Sequence, residues 1–316
     1  MKYWLGRILE TIPLLIGVSL LTFAIFRMAP GDPVALVIDP TMVSEEDRQA
    51  VREALGLDEP LPVQYVSMMT GLFTGELRSF KSKQPTTEIV MDALPVTIIV
   101  GGAGLLIGLI VALPLGTLAA RRPGGWVDRL VSLSMTASLA IPSFVLGLVL
   151  ILLFTERWGM LPGSGIAPIG TIGFAGLESL PYLIMPVAVV AFSPASIFAR
   201  YLRDALGSVL QDDYVRTARA KGLSETVVFS RHAVRNALLP VVSLLNSLIP
   251  ITLGGSVVIE MLFGLPGLGR VTTQAALTRD YPVVITAVLF VAAIAVITNL
   301  VIDLVYGWVD PRVRVE

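Results

Sequence analysis

The chain has 316 residues, of which 54% are hydrophobic and 15% are charged, and its formal net charge is −1. Soluble domains are about 45–50% apolar and about 25% charged, so this composition argues against a water-soluble enzyme, and the balanced charge excludes a bulk attraction to nucleic acid. The absence of cysteine and the presence of a single histidine exclude disulfides, thiolate catalysis, cysteine-ligated zinc and a multi-histidine metal centre.

Six apolar stretches are long enough to cross a bilayer, which needs about 20 residues per helix. They cover roughly residues 9–26, 95–120, 131–154, 180–198, 238–259 and 283–306. Within them, only Glu10 and Asp303 are ionisable, and each lies near the end of its stretch. A charge at the bilayer centre costs about 2.5–3.5 kcal/mol. The sequence therefore predicts an all-α membrane protein with six transmembrane helices.

The first stretch is predicted to be a retained span, because Arg27 stands where signal cleavage after Ala29 would need a small residue. Basic residues predict the orientation. The segments 1–8, 121–130, 199–237 and 307–316 hold 14 Lys or Arg residues, whereas the loops 155–179 and 260–282 hold three. By the positive-inside rule, both termini are expected in the cytoplasm.

Four regions follow from these spans. Residues 1–26 form the N-terminal segment and first span, 27–94 an extracytoplasmic loop, 95–306 a five-helix core, and 307–316 a cytoplasmic tail. Ser44 as N-cap, the acidic residues 45–47 and Gly56 as a stop predict a short helix in the loop. The apolar residues Leu61–Phe73 favour a folded external cap, and a disordered tether is the alternative.

Small residues recur every four positions in the second span, at Gly104, Gly108, Ala112 and Gly116. This spacing lets two helix backbones approach closely in lipid. It predicts a packing seam, and a ligand groove is the alternative.

Polar side chains inside the later spans are candidates for a translocation path, although each one also suits a structural hydrogen bond between helices. They are Ser138, Ser143, Asn246, Ser247, Thr252 and Asn299. No phosphate-binding Gly-x-x-x-x-Gly-Lys-Ser/Thr loop, His-Glu-x-x-His or Gly-x-Ser-x-Gly motif occurs. No catalytic residue or metal ligand is assigned, and energy for uphill transport is expected from another polypeptide.

The segment 199–237 is too charged to enter the membrane and too regular for a tether. Asp212 or Asp213 can cap a helix that stops at Gly222, and Ser224 can cap a second one. Tyr214, Val215 and Ala218 are predicted to form an apolar face for a partner. Arg216, Arg219 and Lys221 surround that face with positive charge. A loop that binds anionic lipid headgroups is the alternative.

Several motifs, in order between the predicted spans, resemble the peptide/nickel branch of ABC importer permeases. They are Pro30–Pro33, Ile141–Phe144, Asp213–Gly222, Arg231–Ala233, Asn236–Pro240, Glu260, Gly264–Gly269 and Asp310–Arg312. The general signature has Glu-Ala-Ala six residues before its glycine, where this chain has Arg216, Thr217 and Ala218. This departure is habitual in the peptide/nickel branch and weakens a sugar or amino-acid assignment.

The resemblance implies a type I importer permease subunit in a bacterial or archaeal plasma membrane, carrying di- or oligopeptides. It implies a second similar permease, two ATPase subunits that hold ATP and magnesium, an external solute-binding protein and membrane lipid as partners. No cofactor is expected on this chain. The residues matching the family's coupling helix are Asp213, Tyr214, Val215, Arg216, Ala218, Arg219, Lys221 and Gly222.

Other cargoes of that branch, namely nickel complexes, glutathione and oligosaccharides, remain open. Two alternative hypotheses come from other functional classes. A polytopic membrane enzyme would use Glu260, Arg270 or Asp280 to act on an external substrate. An ion-coupled carrier would need no ATPase partner.

Overall fold

The computed structural model describes residues 2–28, 34, 44–54, 56–168, 170–171, 173–174 and 176–309. Apart from one isolated bridge between Arg78 and Pro85, the regular elements in this part are helical. In chain order they are α1 Lys2–Met28, α2 Glu45–Ala54, α3 Leu61–Thr74, α4 Thr86–Arg121, α5 Trp126–Ala140, α6 Ser143–Leu150, α7 Leu180–Val209, α8 Asp213–Ala220, α9 Glu225–Val227, α10 Arg235–Leu262, α11 Leu268–Leu277 and α12 Tyr281–Val309. A π-helical segment, Ile151–Arg157, extends α6, and another, Val228–Val234, joins α9 to α10.

The all-helical membrane class is confirmed. Within the described residues, four helical segments are long and apolar enough to cross a membrane: Thr11–Met28, Thr86–Arg121, Gly176–Val209 and Tyr281–Ile302. The bent pair formed by α5 and extended α6 makes a fifth candidate. The remaining stretch, 238–259, lies within α10, where many side chains are outside the described set. A count of six and the orientation of the termini stay predictions.

The third apolar stretch, 131–154, contains Pro142. Prolines bend helices, and this stretch is bent by 104°. α5 ends because Ile141 adopts an extended conformation (φ −98°, ψ 115°), the geometry that a following proline imposes. Pro142 then provides the N-cap position of α6.

The chain divides into two compact units, Met1–Val96 with Pro266–Ile297, and Thr97–Leu265 with Thr298–Glu316. Unit 1 is held together by polar contacts between residues far apart in sequence. The Asp280 carboxylate accepts hydrogen bonds from the Ser79 hydroxyl at 2.5 Å and the Phe80 amide at 2.9 Å. Thr286 donates to Thr86 at 2.8 Å. These bonds explain why Pro266–Ile297 groups with the N-terminal part of the chain.

The short helix predicted in the segment 27–94 is present as α2, with its predicted cap. The Asp47 amide donates to the Ser44 hydroxyl at 3.1 Å, and that hydroxyl donates to the Asp47 carboxylate at 2.7 Å. α3 packs on α1, where the hydroxyls of Ser19 and Tyr65 are hydrogen-bonded at 2.7 Å. The described part of this segment is therefore folded. Pro30–Pro33 lie outside the described residues.

The small-residue seam of α4 is confirmed as a packing contact, and its partner is α7. In unit 2, a Cβ at Gly104 would lie 2.5 Å from the Val190 side chain, and one at Gly116 would lie 2.6 Å from the Ala199 carbonyl. Gly108 faces Pro194 and Ala191 in the same way, at 3.0–3.1 Å. The two backbones approach so closely because no Cβ stands between them.

A methyl group in this seam is expected to destabilise the protein. Gly116→Ala should lower stability by about 1–3 kcal/mol, because the rigid Ala199 carbonyl cannot move aside. Thermal unfolding in detergent measures the change.

Gly102→Ala is the matched control on the same helix. A Cβ at Gly102 meets nothing within 4 Å, so this variant should be stabilised by about 0.5–1 kcal/mol through helix propensity. Equal behaviour of the two variants would contradict the packing seam.

Candidate functional site

The predicted cytoplasmic helix is present as α8, and its ends lie as expected. It begins after Asp212, whose backbone is extended (φ −67°, ψ 148°), although no side-chain capping hydrogen bond forms there. It ends before Gly222, whose φ of +78° is the left-handed geometry of a glycine stop. These local signals set the two ends of α8.

The apolar side of α8 faces the protein's own interior. Val215 is 0% exposed and Ala218 is 6% exposed. Both belong to a buried cluster with Val228, against which Val209 and Leu210 pack. The prediction that Val215 and Ala218 offer an apolar face to a partner is therefore wrong. The apolar stripe anchors the helix to the end of α7, and of the three predicted residues only Tyr214 is exposed.

The remaining predicted coupling residues are exposed, on α8 or directly after its end. These are Asp213, Tyr214, Arg216, Arg219, Lys221 and Gly222. The Arg216 side chain is 72% exposed and lies 3.6 Å from the Asp213 carboxylate, which is 97% exposed. Such a solvated ion pair contributes little to stability. Because both side chains are largely exposed, their charges are accessible to another protein.

Two polar contacts tie α8 to the elements that follow it. The Asn236 amide donates to the Tyr214 hydroxyl at 2.9 Å, which connects α8 to the first turn of α10. The Arg219 guanidinium pairs with the Glu225 carboxylate at 2.7 Å. With its apolar side on α7 and its polar edge on α10, α8 is held from two sides. The side chains of Arg231 and His232 lie outside the described set.

A partly buried ion pair joins α5 to α7 near the start of α5. The Arg203 guanidinium donates to both carboxylate oxygens of Asp128, at 2.8 and 3.0 Å, and the Gly124 amide donates to the same carboxylate at 2.8 Å. Asp204 accepts from Arg203 at 2.7 Å and from Arg200 at 2.8 Å. From the sequence alone, Arg200 and Arg203 are interpreted only as charges on the cytoplasmic side, since nothing local marks Asp128 as a partner.

Loss of the Asp128 carboxylate is expected to weaken the α5–α7 contact. Asp128→Ala should lower stability by about 1–3 kcal/mol, because Arg203 loses a two-pronged, charge-assisted partner. The shift of the thermal midpoint in detergent checks this.

Asp204→Ala is the comparison variant, because the Asp204 side chain is 47% exposed whereas that of Asp128 is 9% exposed. It should cost about 0–1 kcal/mol. A larger loss for Asp204→Ala than for Asp128→Ala would refute this ranking.

A cavity of about 290 Å³ lies in unit 2 between the α5–α6 bend, α7 and α10. It brings together three of the predicted path residues, Ser138, Ser143 and Thr252. Ser247 and Asn299 are exposed and do not line it. The Asn246 side chain lies outside the described set. Ser193 also lines the cavity, although it is not among the predicted path residues. The only sequence feature that could have pointed to it is the neighbouring Pro194, a proline inside an apolar stretch.

The carboxylates considered for an enzyme are bound in structural roles. Glu260 is 0% exposed and accepts hydrogen bonds from Thr97 at 2.7 Å and Ser256 at 3.1 Å. It lies inside α10, whereas the sequence placed it at the edge of a loop. The Asp280 carboxylate accepts a hydrogen bond from the Ser79 hydroxyl and so fixes the turn at Ser79. The Arg270 side chain is partly exposed. Among the described residues, no group of three His, Asp or Glu side chains is placed to hold a metal ion.

Comparison with known proteins gives two family matches that cover most of the chain. Residues 112–315 match the model described as "Binding-protein-dependent transport system inner membrane component". Residues 1–101 match the N-terminal model of the same membrane component.

Similar full-length proteins include the oligopeptide transport system permease protein AppB of Bacillus subtilis, which is 37% identical over 99% of both chains. The dipeptide transport system permease protein DppB of Escherichia coli is 35% identical over 99% of both chains. Among solved structures, an amino acid ABC transporter covers 72% of this chain and 94% of its own, with a TM-score of 0.51 and 17% identity. At this identity the structural match supports the fold alone.

Proposed function

This chain belongs to the family of binding-protein-dependent transport system inner membrane components, and we propose that it is the permease subunit of an ATP-driven importer of di- or oligopeptides. It is a transport subunit and not itself an ATPase. Full-length relatives named as oligopeptide and dipeptide permeases support peptide cargo. Nickel complexes, glutathione and oligosaccharides are the alternative cargoes within the same machinery.

The family implies ATPase partners and an external binding protein. The finer assembly that we propose has two ATPase subunits, which carry ATP and magnesium, and a second, homologous permease that completes the pathway. The chain crosses the bacterial inner membrane six times, with α10 as the remaining span and both termini in the cytoplasm. The excess of Lys and Arg in the segments 1–8, 121–130, 199–237 and 307–316 supports this orientation.

The observation that carries the mechanism is the two-sided attachment of α8. Its apolar stripe is buried in this chain, its Tyr214 is hydrogen-bonded to Asn236, and its opposite side exposes Arg216 and Lys221. A helix attached in this way can transmit a push without bending. We therefore place its exposed polar side, rather than Val215 and Ala218, against the ATPase subunit. Closure of the ATPase pair on ATP would push α8 and shift the permease from inward-open to outward-open.

Reversal of the charge at Arg216 is expected to uncouple transport from ATP hydrolysis. Arg216→Glu should reduce cargo-stimulated ATP turnover and uptake about tenfold, equivalent to about 1.4 kcal/mol of docking free energy. Both rates are measured on the assembled importer in proteoliposomes.

Arg129→Glu is the matched control. Arg129 is also exposed and also lies in a segment expected on the cytoplasmic side, but it belongs to α5. This variant should transport normally. Unchanged activity of Arg216→Glu, or equal losses in both variants, would contradict coupling through α8.

The 290 Å³ cavity is the proposed part of the translocation path in this subunit. Its wall combines the hydroxyls of Ser138, Ser143 and Thr252 with apolar side chains. The Ser138 and Thr252 hydroxyls donate to the Met135 and Leu248 carbonyls. Their oxygens can still accept hydrogen bonds from peptide N–H groups, which are the same whatever the peptide's side chains.

Filling the cavity is expected to block passage. Ser138→Phe should lower the maximal uptake rate severalfold and leave basal ATP hydrolysis unchanged, because α8 is untouched. Uptake of a labelled dipeptide checks this.

Ser134→Phe provides the control. Ser134 and Ser138 lie on the same helix, are both half-buried, and donate to the carbonyls of Val131 and Met135 at 3.0 and 2.9 Å. Ser134 does not line the cavity, so its variant should retain uptake. A greater loss in Ser134→Phe would remove the cavity from the path.

A further inference from the structure

Unit 1 contains a second and larger cavity, with a volume of about 840 Å³. Its wall is formed by the end of α1, by α3, by the turn that precedes α4 and by the start of α12. Sites for small molecules span about 300–1,000 Å³, so this cavity has the volume of a ligand site. None of its lining residues belongs to the cavity in unit 2.

Two residues on this wall carry a buried polar atom that has no hydrogen-bond partner among the described residues. They are Tyr281, through its hydroxyl, and Gln64, through Oε1. Tyr281 as a whole is only 9% exposed. Buried polar groups without a partner are unfavourable and rare, and two of the three found in the described part of the chain line this one cavity. Their position calls for a partner that the described residues do not supply.

The two atoms have complementary requirements. The Gln64 side-chain nitrogen already donates to the Leu57 carbonyl at 2.9 Å and the Glu59 carbonyl at 2.5 Å. Those bonds fix the amide orientation, so Oε1 can only accept. The Tyr281 hydroxyl can donate its proton. A ligand that offers a donor to Gln64 Oε1 and an acceptor to the Tyr281 hydroxyl satisfies both atoms.

The remaining wall combines charges of both signs with aromatic rings. Arg27, Arg78 and Lys83 are cationic, and Glu59 and Glu76 are anionic. The Tyr281 ring packs against Phe26 with ring centroids 4.9 Å apart. The Arg27 guanidinium lies 5.8 Å from the centre of the Phe23 ring. Cations, carboxylates and an apolar wall in one cavity fit a zwitterion with an apolar side chain.

We propose that the cavity of unit 1 binds a short peptide with free ends, as a holding site on the permease itself. The peptide carboxylate accepts from the Tyr281 hydroxyl beside the cationic groups, and a peptide N–H or the terminal ammonium donates to Gln64 Oε1. An apolar side chain rests on the aromatic wall. This assignment rests on the proposed function as a peptide permease and adds a site that is separate from the translocation cavity.

The test measures binding of the dipeptide Leu-Phe to the assembled importer in nanodiscs without its binding protein, by saturation-transfer NMR titration. Val63→Trp should weaken binding severalfold, because Val63 lines the cavity and the larger side chain narrows it. Val66→Trp is the matched control, since Val66 lies on the same helix, is exposed like Val63, and does not line the cavity.

Tyr281→Phe removes only the hydroxyl and should weaken binding about tenfold to a hundredfold, the loss of one hydrogen bond to a charged group. Acetyl-Leu-Phe-amide lacks both terminal charges. It should bind the wild-type complex at least as weakly as Leu-Phe binds the Tyr281→Phe complex. This conservative variant and the capped peptide keep the test decisive if a tryptophan variant fails to assemble.

Absence of binding to the wild type, or equal binding to the wild type, Val63→Trp and Tyr281→Phe, overturns the holding site. Uptake of Leu-Phe by the complete importer with its binding protein is measured in parallel. If uptake is normal but binding is unchanged by Val63→Trp and Tyr281→Phe, the cavity assignment is refuted and the proposed function stands. Failure of the wild type to import any peptide refutes the proposed function as well.

Discussion

The contact between α4 and α7 is the constraint on which unit 2 depends, because the two backbones meet at glycines with no room for a Cβ. At Gly116 an added Cβ would lie 2.6 Å from the Ala199 carbonyl. In a bilayer, helices gain little from hydrophobic association, so close backbone packing contributes much of the specificity. α7 ends at Val209 and α8 begins at Asp213, so the position that the glycines set for α7 also sets the position of α8.

An ion pair and a hydrogen bond connect α7 and α8 to the neighbouring helices. Asp128 and Arg203 hold α5 to α7, and Tyr214 binds Asn236 at the start of α10. α10 also carries Thr252, which lines the 290 Å³ cavity. On the proposed mechanism, a push on α8 therefore reaches a helix that borders the path through an unbroken series of packed or hydrogen-bonded groups.

Buried carboxylates in this chain act as acceptors that position backbone and hydroxyl groups. Glu260 collects hydrogen bonds from Thr97 and Ser256, and Asp280 fixes the turn at Ser79 and Phe80. Neither has a nucleophile–base arrangement around it in these contacts. This agrees with a permease subunit, in which chemistry belongs to partner proteins and this chain supplies geometry.

The sequence by itself determined the features that depend on local patterns. Hydropathy identified the apolar helices, Asp212 and Gly222 bounded α8, Ser44 marked the start of α2, and the four-residue spacing identified the seam. Only the tertiary structure decided which helix fills that seam, that Val215 and Ala218 face inward, and how sharply the chain bends at Ile141. It alone joined Ser79 to Asp280, which are 201 residues apart, and gathered Ser138, Ser143 and Thr252 around one cavity. An apolar stripe has the same period whether it packs on its own chain or on a partner, and contacts between distant residues leave no periodic trace in a single sequence.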